Sequence, residues 1–483
     1  MFDDASEKLL THYVDGAWRA PYSTVAHTVT NPATERELGR IVLAGAEDVE
    51  RAVAAAKSAF PAYSQTPKSE RIALLNRIGE VIEARLEDLA IAISCEMGAP
   101  ITMAREMQAA VALEHLRGFV EALDCQSERA ALPGGHDVML REAVGVCALI
   151  TPWNWPINQI TLKVFPAIAA GATCVLKPSE YTPLSAMIFA DILHEAGVPA
   201  GVFNMIQGDG AGAGAPLVAH CDIDMVSFTG STRAGREIAQ TAIGDIKRVA
   251  LELGGKSPNL VFADCDAALE ARVRHAVAEC FLNTGQSCDA PTRLLVERPV
   301  YERVVEIAAE AARATRLGDP ASEGDHLGPL VSDVQFDKVQ RLIETGIAEG
   351  ARLVAGGPGR AEGFECGYWA RPTVFADVAP GMTIEREEIF GPVLSITPFD
   401  TEDEGVAIAN DTPYGLAAYI QTGDRSRAER VARRLRAGAV HVNGKSMDYG
   451  APFGGMKMSG IGREGGSLGL EEFQEVKTLH MDF

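Results

Sequence analysis

Apolar positions recur at helical spacing over Ala46–Phe60, Lys68–Glu96 and Ile101–Leu123, so the first part of the chain reads as three amphipathic helices. Before them, Tyr13 to Trp18 alternates apolar and polar residues, and Asn31-Pro32 marks a turn. The texture changes at Gly145. Short, wholly apolar runs at Val144–Ile150, Thr173–Leu176, Phe203–Ile206 and Met225–Phe228 predict buried strands. A helix over Leu184–Ala196, closed by Gly197, separates two of them, and the Gly-rich stretch Gly208–Gly214 reads as a flexible loop. Strand and helix alternating at this spacing predict an α/β fold with a parallel, doubly wound sheet. A second series follows Glu252: Asn259–Phe262, the helix Ala267–Leu282, Thr292–Glu297, the helix Val300–Thr315, and strands near Val393–Phe399 and Ala439–Val442. Two doubly wound α/β lobes are therefore expected. Asp124–Glu142 lacks helical periodicity and alternates over His136–Arg141, which predicts a β excursion; the tail from Gly469 to Phe483 also reads as extended at its end. The boundaries drawn are 1–123 with 143–252 for the first lobe, 253–447 for the second, and 124–142 with 466–483 for a small β element that pairs subunits.

Composition narrows the class. The chain has 483 residues, 47% of them hydrophobic, enough for a large core. A net charge of −22 disfavours nucleic acid and anionic membrane. The longest apolar stretch, Phe165–Leu176, is too short to cross a bilayer and contains Pro166 and Gly171. The acidic start MFDDASEKLL has no signal-peptide core. Nine scattered cysteines without a CxxC pair argue against a disulfide scaffold or a metal site and for a cytoplasmic protein.

Two segments stand out chemically. Cys288 lies among small and polar residues in Asn283-Thr-Gly-Gln-Ser-Cys288, whereas Cys147, Cys174 and Cys280 sit in apolar runs as ordinary core residues. Glu252 lies in Leu251-Glu-Leu-Gly-Gly-Lys256. A thiol and a carboxylate in such turns are the parts for covalent catalysis followed by hydrolysis. Phe228-Thr-Gly-Ser-Thr-Arg-Ala-Gly235 follows a strand and opens a helix, where a pyrophosphate fits, although such a turn is as a rule only a turn. Lys177 and Glu180, at a strand end, are either ribose ligands or a solvated pair.

Together these segments resemble the NAD(P)-dependent aldehyde dehydrogenase superfamily of the non-acylating, hydrolytic kind. Seven motifs carry the resemblance: Thr151-Pro-Trp-Asn-Trp-Pro156, Lys177-Pro-Ser-Glu180, Phe228-Thr-Gly-Ser231, Leu251-Glu-Leu-Gly-Gly-Lys256, Gly285-Gln-Ser-Cys288, Glu387-Glu-Ile-Phe-Gly-Pro392 and Pro452-Phe-Gly-Gly455. The resemblance implies a cofactor lobe, a catalytic lobe and a bridging element, in a homodimer or homotetramer. It implies Cys288 as nucleophile, Glu252 as general base, Asn154 as oxyanion donor and Glu464 as a second, proton-relaying carboxylate. It implies cofactor contacts from Thr151, Trp153, Lys177, Ser179, Glu180, Gly230, Ser231, Leu253, Glu388 and Phe390. The expected cofactor is NAD rather than NADP, because Glu180 bonds a 2′-hydroxyl and repels a 2′-phosphate.

Trp155, Asn158, Gln159, Leu162, Leu282, Ser287, Asp289, Tyr449 and Phe453 are the substrate-tunnel candidates. None is basic, and Lys445 is the nearest basic residue, so an uncharged aliphatic, terpenoid or aromatic aldehyde is expected. A semialdehyde acid is the alternative. A CoA-acylating relative, or an idle scaffold, is disfavoured by the intact Glu252, Cys288 and Asn154. Asp289, beside the nucleophile, is expected to point away and to leave the thiol's titration unchanged.

Overall fold

A computed structural model of the chain describes residues 6–134, 137–448 and 450–481. Its first large sheet has eight strands, in the order Gly460–Ile461, Arg248–Glu252, Met225–Thr229, Val146–Ile150, Thr173–Lys177, Phe203–Met205, His12–Val14 and Ala17–Arg19. The five central strands are parallel, and the flanking ones run antiparallel. In chain order the parallel strands lie 3-2-1-4-5, so the winding reverses between Val146–Ile150 and Met225–Thr229. Ligands of open α/β sheets bind at such a reversal, beyond the strands' carboxyl ends.

The strands at the centre of this sheet are buried on both faces. One side packs on the helices Lys68–Met97, Val111–Cys125, Pro156–Ala170 and Pro183–Glu195. The other packs on Ala46–Tyr63 and Thr232–Gly244. The longest apolar stretch is divided at Gly171 (φ +87°) between a buried helix and a buried strand. No helix among the described residues is long and apolar enough to cross a membrane.

The second sheet has seven strands: Arg352–Ala355, Thr373–Ala376, Val393–Phe399, Arg293–Glu297, Pro258–Val261, Ala417–Gln421 and Ala439–Val442, parallel except at the first pair. The expected α/β class with two doubly wound lobes is therefore present. A third sheet joins Gln474–His480, Asp137–Ala143 and Arg129–Ala131, so the excursion and the tail do pair with each other.

Three local expectations change, and one predicted turn proves to join two strands that were not predicted. The helix expected over 101–123 is broken by a π-helical turn at Ala104–Ala109 before Val111–Cys125 begins. The Gly-rich stretch is no loose loop, since Gly210–Gly214 forms a π-helical turn capped by the Asp209 carboxylate. The tail is not wholly part of the small sheet, because Gly466–Glu472 is a helix whose Leu470 enters the first lobe's core. Asn31-Pro32 opens the connection of a hairpin, Val25–Thr30 with Glu37–Leu43, whose exposed strands carry too little apolar alternation to be read beforehand.

Candidate active site

Cys288 stands on an unusual turn. After the helix Leu269–Phe281, Asn283 and Thr284 adopt φ of 55° and 57°, and Gly285 follows at +72°. Successive left-handed non-glycine residues store strain that the surroundings must hold. Asn283 is held by its side chain, which donates to the Asn154 carbonyl at 2.8 Å and accepts from Gln108 at 3.2 Å. Gly285 has no alternative, because a Cβ there would lie 2.1 Å from the Gly391 carbonyl oxygen.

The glycines of the Leu251–Lys256 motif have equally specific reasons. A Cβ on Gly255 would meet the Cys288 carbonyl oxygen at 2.4 Å, and one on Gly254 would meet the Glu388 carboxylate at 2.6 Å. The pair of glycines thus lets the end of the Arg248–Glu252 strand pass against both the nucleophile loop and Glu388. Glu388 accepts the Gly255 amide at 3.0 Å, and burial raises its pKa.

Asn154 is 3% exposed, and its side-chain amide donates to the Gln286 carbonyl at 3.0 Å. One of its two amide hydrogens remains for another acceptor. Glu252, also 3% exposed, has both carboxylate oxygens buried without a partner. Its pKa is raised well above the carboxylate range, by burial first and by the charge of Glu464 second. Glu464 accepts from Lys163, which also donates to Thr229 at 2.7 Å. Lys163 was not anticipated. It lies in the apolar run of Pro156–Ala170, and its partner is far away in sequence, so no local pattern announces it.

Burial likewise drives the Cys288 thiol well up, followed by the charges of Asp289, Glu388 and Glu252. Asp289 is the largest charge contribution. Asp289 is half-buried and lines the cavity on Cys288, which runs against the expectation that it points away and leaves the thiol's titration unchanged.

The cofactor candidates gather at the sheet's winding reversal. Ser231 caps the helix Thr232–Gly244, accepting from the Ala234 amide at 3.3 Å. A Cβ on Gly235 would strike the Leu253 side chain at 2.4 Å, so this helix packs directly on that leucine. Lys177 is buried, donates to the carbonyls of Pro178 and Gly208 at 2.8 Å each, and stands 3.9 Å from Glu180. Ser179 is buried next to it, and the Thr151 amide donates to the Lys177 carbonyl at 3.2 Å, leaving the Thr151 hydroxyl unpaired. Across the crevice Phe390, at a strained φ of 61°, meets Trp153 edge-on at 5.5 Å.

A cavity of about 390 Å³ opens on Cys288, within the range of small-molecule sites. Trp155, Asn158, Gln159, Leu162, Leu282, Ser287, Asp289 and Phe453 line it. Tyr449 lies outside the described residues. Trp155 donates its indole N–H to Ser287 at 2.9 Å. Lys445 is not in the wall; it is exposed and pairs with Asp448 at 2.7 Å. Among the described residues no lysine or arginine lines this cavity. His115, Tyr419 and His441 also line it and were missed, being single polar residues in otherwise helical or strand patterns. Burial depresses His115 to a pKa of about 4, so it is a neutral imidazole bonded to Thr161.

A dinucleotide-type crevice meeting a half-buried cysteine, an unpaired carboxylate and a substrate-sized cavity defines an oxidoreductase. The model of the Aldehyde dehydrogenase family matches residues 18–479, and the chain belongs to that family. It is an NAD(P)-dependent aldehyde dehydrogenase by its relatives. It is 49% identical over 468 residues to 3-succinoylsemialdehyde-pyridine dehydrogenase of a Pseudomonas species, covering 97% of each chain. Aldehyde dehydrogenase C of Pseudomonas syringae, solved as a cysteine-to-alanine variant with NAD+ and octanal, is 50% identical with a TM-score of 0.96, covering 98% of this chain and 97% of that one. The NAD+ complex of a Bacillus cereus aldehyde dehydrogenase is 38% identical with a TM-score of 0.95, covering 99% and 98%.

Proposed function

We propose that the protein oxidises an uncharged aliphatic, terpenoid or aromatic aldehyde to its carboxylic acid with NAD+ and water, working as a homodimer or homotetramer. The observation that carries this reading is the cavity without cationic groups that opens on Cys288, beside the buried, unpaired Glu252. An arginine or lysine in its wall would be the mark of a substrate carboxylate. The octanal and pyridine-bearing aldehydes in the relatives' names agree with it.

The residues divide the work as follows. Glu252 accepts the thiol proton and gives it up through Glu464 before hydrolysis begins, and Cys288 Sγ adds to the carbonyl carbon. The free Asn154 N–H and the Cys288 amide receive the developing oxyanion, so charge is met by donors already in position. The bound nicotinamide supplies the hydride acceptor, which leaves Cys288 as a thioester. Water then attacks the acyl carbon, Glu252 takes its proton, and the thiolate departs. Glu464, held by Lys163 and with its second oxygen unpaired, is assigned to pass that proton on. Lys177, Ser179 and Glu180 are assigned to the adenosine ribose, with Thr151 below them. Gly230, Ser231 and Leu253 are assigned to the pyrophosphate, and Glu388, Trp153 and Phe390 to the nicotinamide riboside. The half-buried carboxylates Glu180 and Glu388 and the helix capped by Ser231 suit that group. Glu180, a partly exposed acid, favours NAD over NADP.

Asn154→Ala tests the assignment. Losing one such donor costs about 2.7–4 kcal/mol in the barrier, or about 100- to 1,000-fold in kcat. NAD+ binding, followed by fluorescence titration, is expected to survive. Unchanged turnover would refute the role. Acid formed in the absence of CoA separates the hydrolytic reading from the acylating one.

A further inference from the structure

A second cavity, of about 610 Å³, lies beside the first, and Glu106, Met107 and Leu282 line both. These three side chains are therefore the partition between the two spaces. Met107 and Glu106 stand on the π-helical turn Ala104–Ala109, and Leu282 directly follows the helix Leu269–Phe281. The wider π turn sends Gln108 inward to Asn283 of the nucleophile loop and leaves Met107 outward, 42% exposed. Such turns inside helices recur at functional positions.

Beyond the partition the wall is largely apolar, with Ala278, Phe281, Ala314 and Leu327. The arginines there are already engaged. Arg274 is paired with Glu270 and Glu310 at 2.9 and 3.0 Å, and Arg316 donates to the Asp325 carbonyl at 3.0 Å. Glu106 at the partition repels an anionic tail. Methionine and leucine are the flexible part of the divide, and methionine adapts readily to what passes it.

We infer that the two cavities form one substrate site, in which the apolar tail of a long aldehyde passes between Met107 and Leu282 into the second chamber. The inference rests on the reading of Cys288 and its cavity given above. The occupant is an unbranched, uncharged alkyl chain.

The test is kcat/KM with NAD+ for straight-chain aldehydes from propanal to dodecanal. Each methylene buried in the second chamber raises it by up to about fourfold. Ala278→Trp and Ala314→Trp fill that chamber from exposed helix positions outside the first cavity. In each, the ratio of kcat/KM for decanal to that for propanal is expected to fall at least about tenfold, with thermal melts confirming the fold. Unaltered ratios in both variants, or a preference for the corresponding ω-oxo carboxylates, would overturn the inference. Absence of NADH from propanal in the unmodified protein would instead overturn the underlying reading. Propanal oxidation with a flat chain-length series overturns only the extension.

Discussion

Beside the nucleophile, Asp289 and Glu252 put negative charge where a thiolate must form, and burial adds to the cost. Removing the Asp289 charge must lower the thiol pKa. Asp289→Asn is therefore expected to move the pH dependence of iodoacetamide alkylation at Cys288 to lower pH, and an unmoved profile would show that Asp289 is silent. The second carboxylate gives a separate prediction. Glu252 works as a base only when ionised, so activity falls as pH drops through its raised pKa. Glu464→Gln removes one cause of that elevation and leaves Lys163 to favour the ionised form. The acid limb of acyl-enzyme hydrolysis should move to lower pH, while a drop in the plateau would report the lost relay. Cys288 and Glu252 were legible in the sequence because their chemistry requires small, turn-forming neighbours, and Asn154 only through the family motif Thr151–Pro156. Lys163 and Gln108 were not, because nothing in the residues around either one marks it out and each finds its partner only through tertiary contact.

At the level of elements, Arg293 shows how the catalytic lobe is braced. It opens the strand Arg293–Glu297, is 1% exposed, and donates to the carbonyls of Lys256, Ile408 and Ala409 and to Glu385. The Lys256 carbonyl belongs to the motif that carries Glu252, so this guanidinium ties the strand to the site. Arg293→Met would leave Glu385 and three carbonyls without their partner. Breaking a buried pair costs about 3–5 kcal/mol, and the lower end applies because Arg386 still reaches Glu385 at 2.9 Å. Urea unfolding should show a reduced midpoint, and no shift would mean that water replaces the lost bonds. The strands were readable because they are short apolar runs at regular intervals. The π turn at Ala104–Ala109 was not, since the segment before it is too short to show the change of phase that one extra residue makes.

For the whole molecule, the third sheet sets the last prediction. Gln474–His480 pairs with Asp137–Ala143 on one edge only, and among the described residues its other edge has no partner strand. Val476 on that strand is 62% exposed. An unprotected strand edge with an exposed apolar residue invites pairing with another chain, and proteins that stay monomeric normally blunt it. The sequence and the family resemblance pointed to one small β element made of the excursion and the tail, but not to its register, which depends on the fold bringing 137–143 beside 474–480. A second copy of the chain is the partner that a symmetric assembly would supply. Truncation after Phe473 keeps the Phe473 carbonyl that receives the Val144 amide, so the first lobe's contact with the tail helix survives. Light scattering should then give the monomer mass where the full chain gives a dimer or tetramer, and Val476→Lys should weaken the assembly in the same direction without deleting backbone. An oligomer of unchanged mass in both variants would move the subunit contact to another face of the molecule.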